Sequence, residues 1–181
     1  MYSEILILAM LQQGPRHGYE IKKDIDQALG GMVVLNNKTL YLALKRFEEL
    51  GAVTRQVVVQ QGKPNRHLYQ LTEHGIELLH ASLRDFPSEQ AASDAEFFTR
   101  VAFFDVLEAQ ERIAILRTRL AYLQKGLEYL QGLQQIAEAE ACAQIMPMLT
   151  NAQRVLAFHT RRIRDEYAWI ASWIEEMQTP R

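Results

Sequence analysis

Positive charge is concentrated in one short stretch of this chain. Residues 36–70 contain six basic side chains and two acidic ones, whereas residues 86–181 contain ten basic and thirteen acidic groups. Because the formal net charge of the whole chain is -2, the distribution of charge is more informative than its sum. Clustered lysine and arginine side chains neutralise phosphate groups, and neighbouring amides and hydroxyls can donate to phosphate oxygens or base edges. The stretch therefore predicts an interface for nucleic acid. Its basic residues are Lys38, Lys45, Arg46, Arg55, Lys63 and Arg66.

Within this stretch, residues 38–50 are predicted to form a helix that reads double-stranded DNA. Leu40, Leu44 and Phe47 recur every three or four residues and form an inward face. Asn36 and its neighbour offer an N-terminal cap. The opposite face would enter the major groove; a solvated charged face is the alternative interpretation of this helix taken alone. The expected DNA contacts are Asn37, Lys38, Thr39, Tyr41 and Lys45 on the helix and Lys63, Asn65 and Arg66 in the turn that follows.

The elements around this helix predict a winged helix, a form of helix-turn-helix, over residues 1–85. Two further helices precede the reading helix, and Gly-Pro and Gly-Gly pairs end them. A β-branched run, a Gly/Pro/Asn-rich turn and an alternating run then indicate a two-stranded hairpin, and a fourth helix follows. The predicted bounds are 4–13, 19–30 and 38–50 for the first three helices, 53–60 and 66–71 for the strands, and 73–83 for the fourth helix.

Residues 86–181 are predicted to form a helical dimerisation domain. Pro87 marks the boundary, because proline resists continuation of the preceding helix. Two long amphipathic helices, at about 107–144 and 149–177, carry apolar residues at heptad spacing and would form an antiparallel pair. Such a pair leaves apolar edges, which a second copy of the chain would cover. The fold class is thus mainly α with a small β-hairpin. The expected dimerisation residues are Leu116, Leu120, Leu123, Leu127, Leu130, Leu156, Ile163, Ile170 and Ile174.

The remaining residue types form no catalytic or metal-binding pattern. Cys142 is the single cysteine, which excludes an intramolecular disulfide and suits a reducing cytoplasm. The histidines lack metal-ligand spacing, and His17 is expected to stabilise a turn through a hydrogen bond to the backbone. The sequence therefore predicts no enzyme activity, no cofactor and no metal site. Because no stretch approaches the roughly 20 apolar residues of a membrane span, we expect a soluble, cytoplasmic protein with no membrane partner.

Three ordered segments within residues 1–80 match motifs of a known family. They are Gly-Pro-Arg-His-Gly-Tyr at residues 14–19, Thr-Leu-Tyr-Leu-Ala-Leu-Lys-Arg-Phe-Glu at 39–48, and a segment at 63–72 that ends in Arg-His-Leu-Tyr-Gln-Leu-Thr. In these segments the chain resembles the PadR family of bacterial transcriptional regulators. Residues 86–181 are similar to the helical extension of its longer, virulence-activator-like subgroup. By position, the family's DNA contacts fall on Thr39, Tyr41, Lys45, Lys63 and Arg66.

The resemblance implies a homodimer that binds an inverted-repeat operator, usually as a repressor, and releases it on binding a phenolic or other hydrophobic effector. Flat apolar side chains in the second region suggest an effector cavity between the two regions, although such residues are more often interface core. The alternatives are a regulator with no effector, a protein–protein adaptor that has lost DNA binding, and a small enzyme. No residue pattern supports the enzyme. The tentative effector-binding residues are Phe97, Phe98, Phe103, Trp169 and Trp173.

Overall fold

The computed structural model describes residues 2–28, 30, 33–59, 66–139 and 150–179. The described chain is mainly helical, with one small antiparallel sheet. Two short 3-10 turns, Ser88–Gln90 and Phe104–Val106, flank the helix Asp94–Ala102. The helices are α1 (Tyr2–Gln12), α2 (Gly18–Ala28), α3 (Asn37–Glu49), α4 (Glu73–Arg84), α5 (Asp94–Ala102), α6 (Ala109–Ala139) and α7 (Thr150–Gln178). The strands are β1 (Arg16–His17), β2 (Val53–Val58) and β3 (Arg66–Leu71).

α1 is the central helix of the first part of the chain. Its seven consecutive residues Ile5–Leu11 are all buried, which is expected of a helix that is apolar on every side. It packs against α2, α3, α4, α5 and β3. This burial accounts for the apolar run near the start of the chain.

The sheet has three strands, in the order β1-β3-β2. β2 and β3 form the predicted hairpin, in which Val53 pairs with Leu71 and Val58 with Arg66. The sequence did not predict a third strand: Arg16 and His17 form β1, which pairs with the other edge of β3. Two residues are too few to show alternation of apolar and polar side chains, so the sequence pattern could not reveal this strand.

The described chain divides into two compact units. The first comprises Met1–Phe86 and Ser93–Glu108, and the second comprises Pro87–Ala92 and Ala109–Arg181. The first unit contains the helix–turn–helix order followed by the β2–β3 hairpin and α4, which is the winged-helix arrangement. Among the described residues, no helix is both long enough and apolar enough to cross a membrane.

α5 packs with the first unit, although the sequence places it beyond the predicted boundary at residues 85 and 86. The physical reason is a buried polar cluster. The Arg100 guanidinium, which is fully buried, donates to the Glu96 carboxylate at 2.7 Å and to the Asp85 carbonyl at 2.7 Å. Glu96 in turn accepts from the Tyr2 backbone amide at 3.0 Å. These bonds join α5 to the ends of α4 and α1. The division into two domains at residue 85 stays a prediction.

α6 and α7 pack against each other within one chain. Their shared seam contains apolar residues at heptad spacing, and it also contains a buried arginine. Arg119 donates through Nε to Glu166 at 2.7 Å and through Nη1 to the Ala91 carbonyl at 2.5 Å. The buried apolar residues of the seam include Leu116, Leu123, Leu130, Ile163, Ile170 and Ile174.

Candidate nucleic-acid interface

α3 has one buried face and one exposed face. Asn36 caps its start, since the side-chain oxygen accepts from the Thr39 amide at 2.8 Å, as the sequence predicts. Leu40, Ala43, Leu44 and Phe47 are buried against the first unit's core. The exposed face therefore follows from the spacing of these four residues. It contains the predicted Asn37, Lys38, Tyr41 and Lys45, together with Leu42 and Arg46, while Thr39 is half-buried beside the cap.

Ion pairs divide the basic side chains of the first unit into two groups. Arg46 is paired with Glu4 at 2.6 Å and Arg55 with Glu48 at 3.1 Å. Lys45 lies 3.7 Å from Glu49, and both of these side chains are exposed, so the pair costs little to break. No ion pair is found for Lys38 or Arg66 within the residues the structure describes. Lys38, Lys45 and Arg66 are therefore the cations on this surface that can most readily accept a phosphate as partner.

The turn of the hairpin lies partly outside the described residues. Lys63 and Asn65, both predicted to contact DNA, fall in that gap. Arg66 is exposed at the first position of β3, opposite Val58. Tyr69, three residues further, is buried, and burial raises the pKa of its hydroxyl. Arg66 thus lies at the exposed end of β3, and the buried side chain of Tyr69 fixes that strand to the core.

The sequence did not indicate that the start of α2 contributes to this surface. Residues 17–19 line a cleft of about 270 Å³ together with Tyr41 of α3 and Arg66 and His67 of β3. The cleft thus joins a predicted helix contact to a predicted wing contact. The Gly-Pro-x-His-Gly-Tyr motif was the available signal, but only the three-dimensional arrangement shows that it faces Tyr41.

His17 fixes the start of α2 to the wing. Its Nδ1 donates to the His67 carbonyl at 2.9 Å, which confirms the expected hydrogen bond to the backbone. Its backbone amide donates to Oε2 of Glu20 at 2.8 Å, the reciprocal contact of a capping box. β1, α2 and β3 are therefore held together at one residue.

The tentative effector residues fall into both units. Phe97, Phe98 and Phe103 belong to the first unit, in which Phe97 is buried and its ring centroid lies 5.1 Å from that of Phe98. Trp169 and Trp173 belong to α7, with ring centroids 5.3 Å apart. Trp169 is 44% exposed. A shared effector site therefore stays a prediction.

Six of the nine expected dimerisation residues are buried within a single chain, so their burial does not require a partner. These are the seam residues of α6 and α7. Leu120 and Leu127 are half-buried, and Leu156 is 37% exposed. Other apolar side chains of the same two helices are more exposed than Leu156. They include Tyr122, Tyr129, Leu133, Val155 and Phe158. The sequence pattern identified the intramolecular seam, because packing inside a helix pair and packing between chains use the same heptad spacing.

A family model and a curated relative indicate the same family. The model of the Transcriptional regulator PadR-like family matches residues 7–81. The Negative transcriptional regulator PadR of Bacillus subtilis (strain 168) is 30% identical over 127 residues, which are 70% of this chain and 69% of that protein.

Several solved structures are also similar to this chain. B. subtilis PadR in complex with operator DNA is 24% identical and has a TM-score of 0.46, with 98% of this chain and 100% of that chain covered. The same protein in complex with p-coumaric acid is 23% identical, with a TM-score of 0.42 and coverage of 99% and 100%. A transcriptional regulator from Clostridium thermocellum is 28% identical, with a TM-score of 0.41 and coverage of 55% and 88%. With its winged-helix order and its 30% identity to B. subtilis PadR over 70% of this chain and 69% of that protein, this chain belongs to the PadR-like family of transcriptional regulators.

Proposed function

We propose that this protein is a homodimeric repressor that binds an inverted-repeat operator through α3 and the wing. The exposed face of α3 carries the proposal, since it presents Lys38, Tyr41 and Lys45 on a helix whose other face is fixed in the core. A helix in this setting can place its first residues against base edges in the major groove. The proposed DNA contacts are Asn37, Lys38, Thr39, Tyr41, Lys45, Lys63, Asn65 and Arg66.

The surface apolar residues of α6 and α7 support the homodimer. Tyr129, Val155 and Phe158 are each about two-thirds exposed, and exposed apolar side chains grouped on one pair of helices are typical of a protein interface. A second copy related by two-fold symmetry would cover them with the same surface. Two copies would also present two reading helices, which suits an operator made of two half-sites.

DNA binding is tested with the protein's own promoter region, by gel shift and footprinting at several salt concentrations. We expect a protected inverted repeat whose half-sites are about one helical turn, or a multiple of it, apart. Lys38→Ala and Lys45→Ala should each weaken binding and reduce the log–log salt slope by about 0.9. Lys125→Ala, an exposed lysine of α6, is the matched control and should bind as the wild type does.

Absence of DNA binding at low salt would favour the adaptor, in which these lysines are dispensable. Protein for this experiment is refolded or extensively dialysed first, so that a co-purified ligand does not hold it off DNA. A footprint without symmetry would retain DNA binding but contradict the two-fold homodimer.

We further propose release of DNA by a small phenolic effector. Support comes from the neighbouring rings of Trp169 and Trp173, since paired aromatic side chains suit a flat apolar ligand. Because these are the chain's two tryptophans, fluorescence excited selectively at tryptophan reports on this part of α7. p-Coumaric acid, the ligand in the structure of the B. subtilis relative, is the probe. Saturating probe should change the fluorescence and lower operator affinity; unchanged fluorescence and affinity would contradict this part of the proposal.

A further inference from the structure

Tyr41 of α3 lies directly against the backbone of Gly18 in α2. A Cβ atom at residue 18 would lie 2.9 Å from Cε1 of the Tyr41 ring, 3.0 Å from its hydroxyl oxygen and 3.2 Å from Cζ. Carbon atoms in van der Waals contact are about 3.5–4.0 Å apart, so a side chain at residue 18 and the present position of the ring exclude each other. The space taken by Tyr41 exists because residue 18 is glycine.

The conformation of Gly18 does not itself require glycine. The described glycines with positive φ are Gly14, Gly30 and Gly51, and Gly18 is not among them. Alanine at the start of α2 would therefore be free of backbone strain, and it lowers the entropy of the unfolded chain relative to glycine. The contact with Tyr41 is what opposes alanine at this position.

The backbone beneath the Tyr41 ring is held from two sides. His17 bonds through its side chain to the His67 carbonyl and through its amide to Glu20, and it pairs with Leu68 in the sheet. Gly18 therefore has a fixed place relative to both β3 and α2. The Tyr41 ring rests on this fixed backbone while half of its side chain stays exposed.

We propose that Gly18 is a positioning residue for DNA binding, which acts by holding the Tyr41 ring in a fixed place beside Arg66, in the cleft that both residues line. This inference rests on the proposed function. Alanine at residue 18 displaces the ring toward solvent, and the half-exposed ring can move without unfolding the core. Pre-organisation of the contact is then lost, and the bound complex must order the side chain at a cost in affinity.

The test is a double-mutant cycle of Gly18→Ala and Tyr41→Ala, with operator affinity measured by fluorescence anisotropy at fixed salt. Gly18→Ala should weaken binding about tenfold, a factor within the range of coupling between residues in contact. In the Tyr41→Ala background the same change should have no further effect, because no ring is left to displace. Gly126→Ala is the matched control: its Cβ would meet Ile163 Cδ1 at an ordinary 3.7 Å, so affinity should not change.

Two readouts separate positioning from a structural role. Thermal unfolding and the oligomeric state of Gly18→Ala should match those of the wild type. In the wild type without DNA, the Gly18 Hα protons should show a ring-current shift that Tyr41→Ala removes.

Three outcomes would overturn the inference while the wild type still binds its operator. They are normal affinity of Gly18→Ala, an equal loss in the Tyr41→Ala background, and unfolding of Gly18→Ala, which would show that the ring cannot move. If the wild type fails to bind any promoter fragment, the proposed function itself is wrong and the inference falls with it.

Discussion

The guanidinium of Arg46 on α3 lies 2.6 Å from the carboxylate of Glu4 on α1, so one basic side chain of α3 already has an ion-pair partner on α1. Arg46 thus differs from Lys38, which has no ion pair in the described part of the chain. A formal count of positive charge treats the two alike. The ion pair distinguishes them: Arg46 links α3 to α1, whereas Lys38 is able to neutralise a phosphate.

We expect Arg46→Ala to leave the salt dependence of operator binding unchanged, whereas Lys38→Ala lowers the log–log slope by about 0.9. Breaking the Arg46–Glu4 pair should cost about 0–1 kcal/mol of stability, since the Arg46 side chain is 64% exposed. Anisotropy titrations at four or more salt concentrations measure the slopes. A slope change for Arg46→Ala equal to that for Lys38→Ala would show that Arg46 exchanges Glu4 for a phosphate on binding.

Gly75→Ala should destabilise the first unit by about 1–3 kcal/mol or more, because its Cβ has no room. The atom would overlap the carbonyl oxygen of Ala52 and lie 2.6 Å from Cδ1 of Leu71. The Ala52 oxygen cannot move away, since it accepts a hydrogen bond from the Thr72 amide. Far-UV circular dichroism during thermal unfolding measures the effect. Gly126→Ala in α6 serves as the control and should be neutral or stabilising; equal melting curves for the two variants would contradict the clash.

The sequence was sufficient where local pattern determines structure. Leu40, Leu44 and Phe47 defined the buried face of α3, and Asn36 defined its cap, because each acts within one or two turns of the same helix. It was insufficient where distant segments meet. The pairing of His17 with β3, the contact of Gly18 with Tyr41 and the burial of Arg100 beneath Asp85 all join residues that no periodicity relates. The exposed face of α3 could therefore be predicted from the sequence, but the long-range contacts that hold α3 in place could not.

Arg100→Met should destabilise the first unit by about 3–5 kcal/mol, because it leaves the Glu96 carboxylate without its buried partner. Arg100 is fully buried and spans α4 and α5 through Asp85 and Glu96. Urea unfolding followed by circular dichroism gives the change. The double variant Arg100→Met, Glu96→Leu is the matched test, since removal of both charges should restore much of the lost stability. A double variant no more stable than the single one would show that the carboxylate is not the source of the loss.

The same pair predicts a dependence of stability on pH. Burial raises the pKa of Glu96, but hydrogen bonds from Arg100 and the Tyr2 amide outweigh it, and the pKa lies below its ordinary value of 4.5. A carboxyl with a lowered pKa in the folded state stabilises the protein above its unfolded pKa, and this contribution is lost as pH falls through the folded pKa. Stability should therefore drop below about pH 4.5, and less steeply in Glu96→Gln. Equal slopes for wild type and variant between pH 3 and 5 would contradict this role.

Phe158→Glu should convert the proposed dimer to a monomer and weaken operator binding, because it places a charge among the exposed apolar side chains of α7. Phe158 is 68% exposed and Val155, one turn earlier on the same face, is 67% exposed. Since neither side chain is needed for the seam with α6, the variant should fold normally. Light scattering after size exclusion measures the mass, and Gln178→Glu, at an exposed polar position on another face of α7, is the control. A Phe158→Glu protein that keeps the dimer mass would place the two-fold interface on another surface, whereas a monomer that still binds one half-site weakly would assign α7 to dimerisation and α3 to DNA.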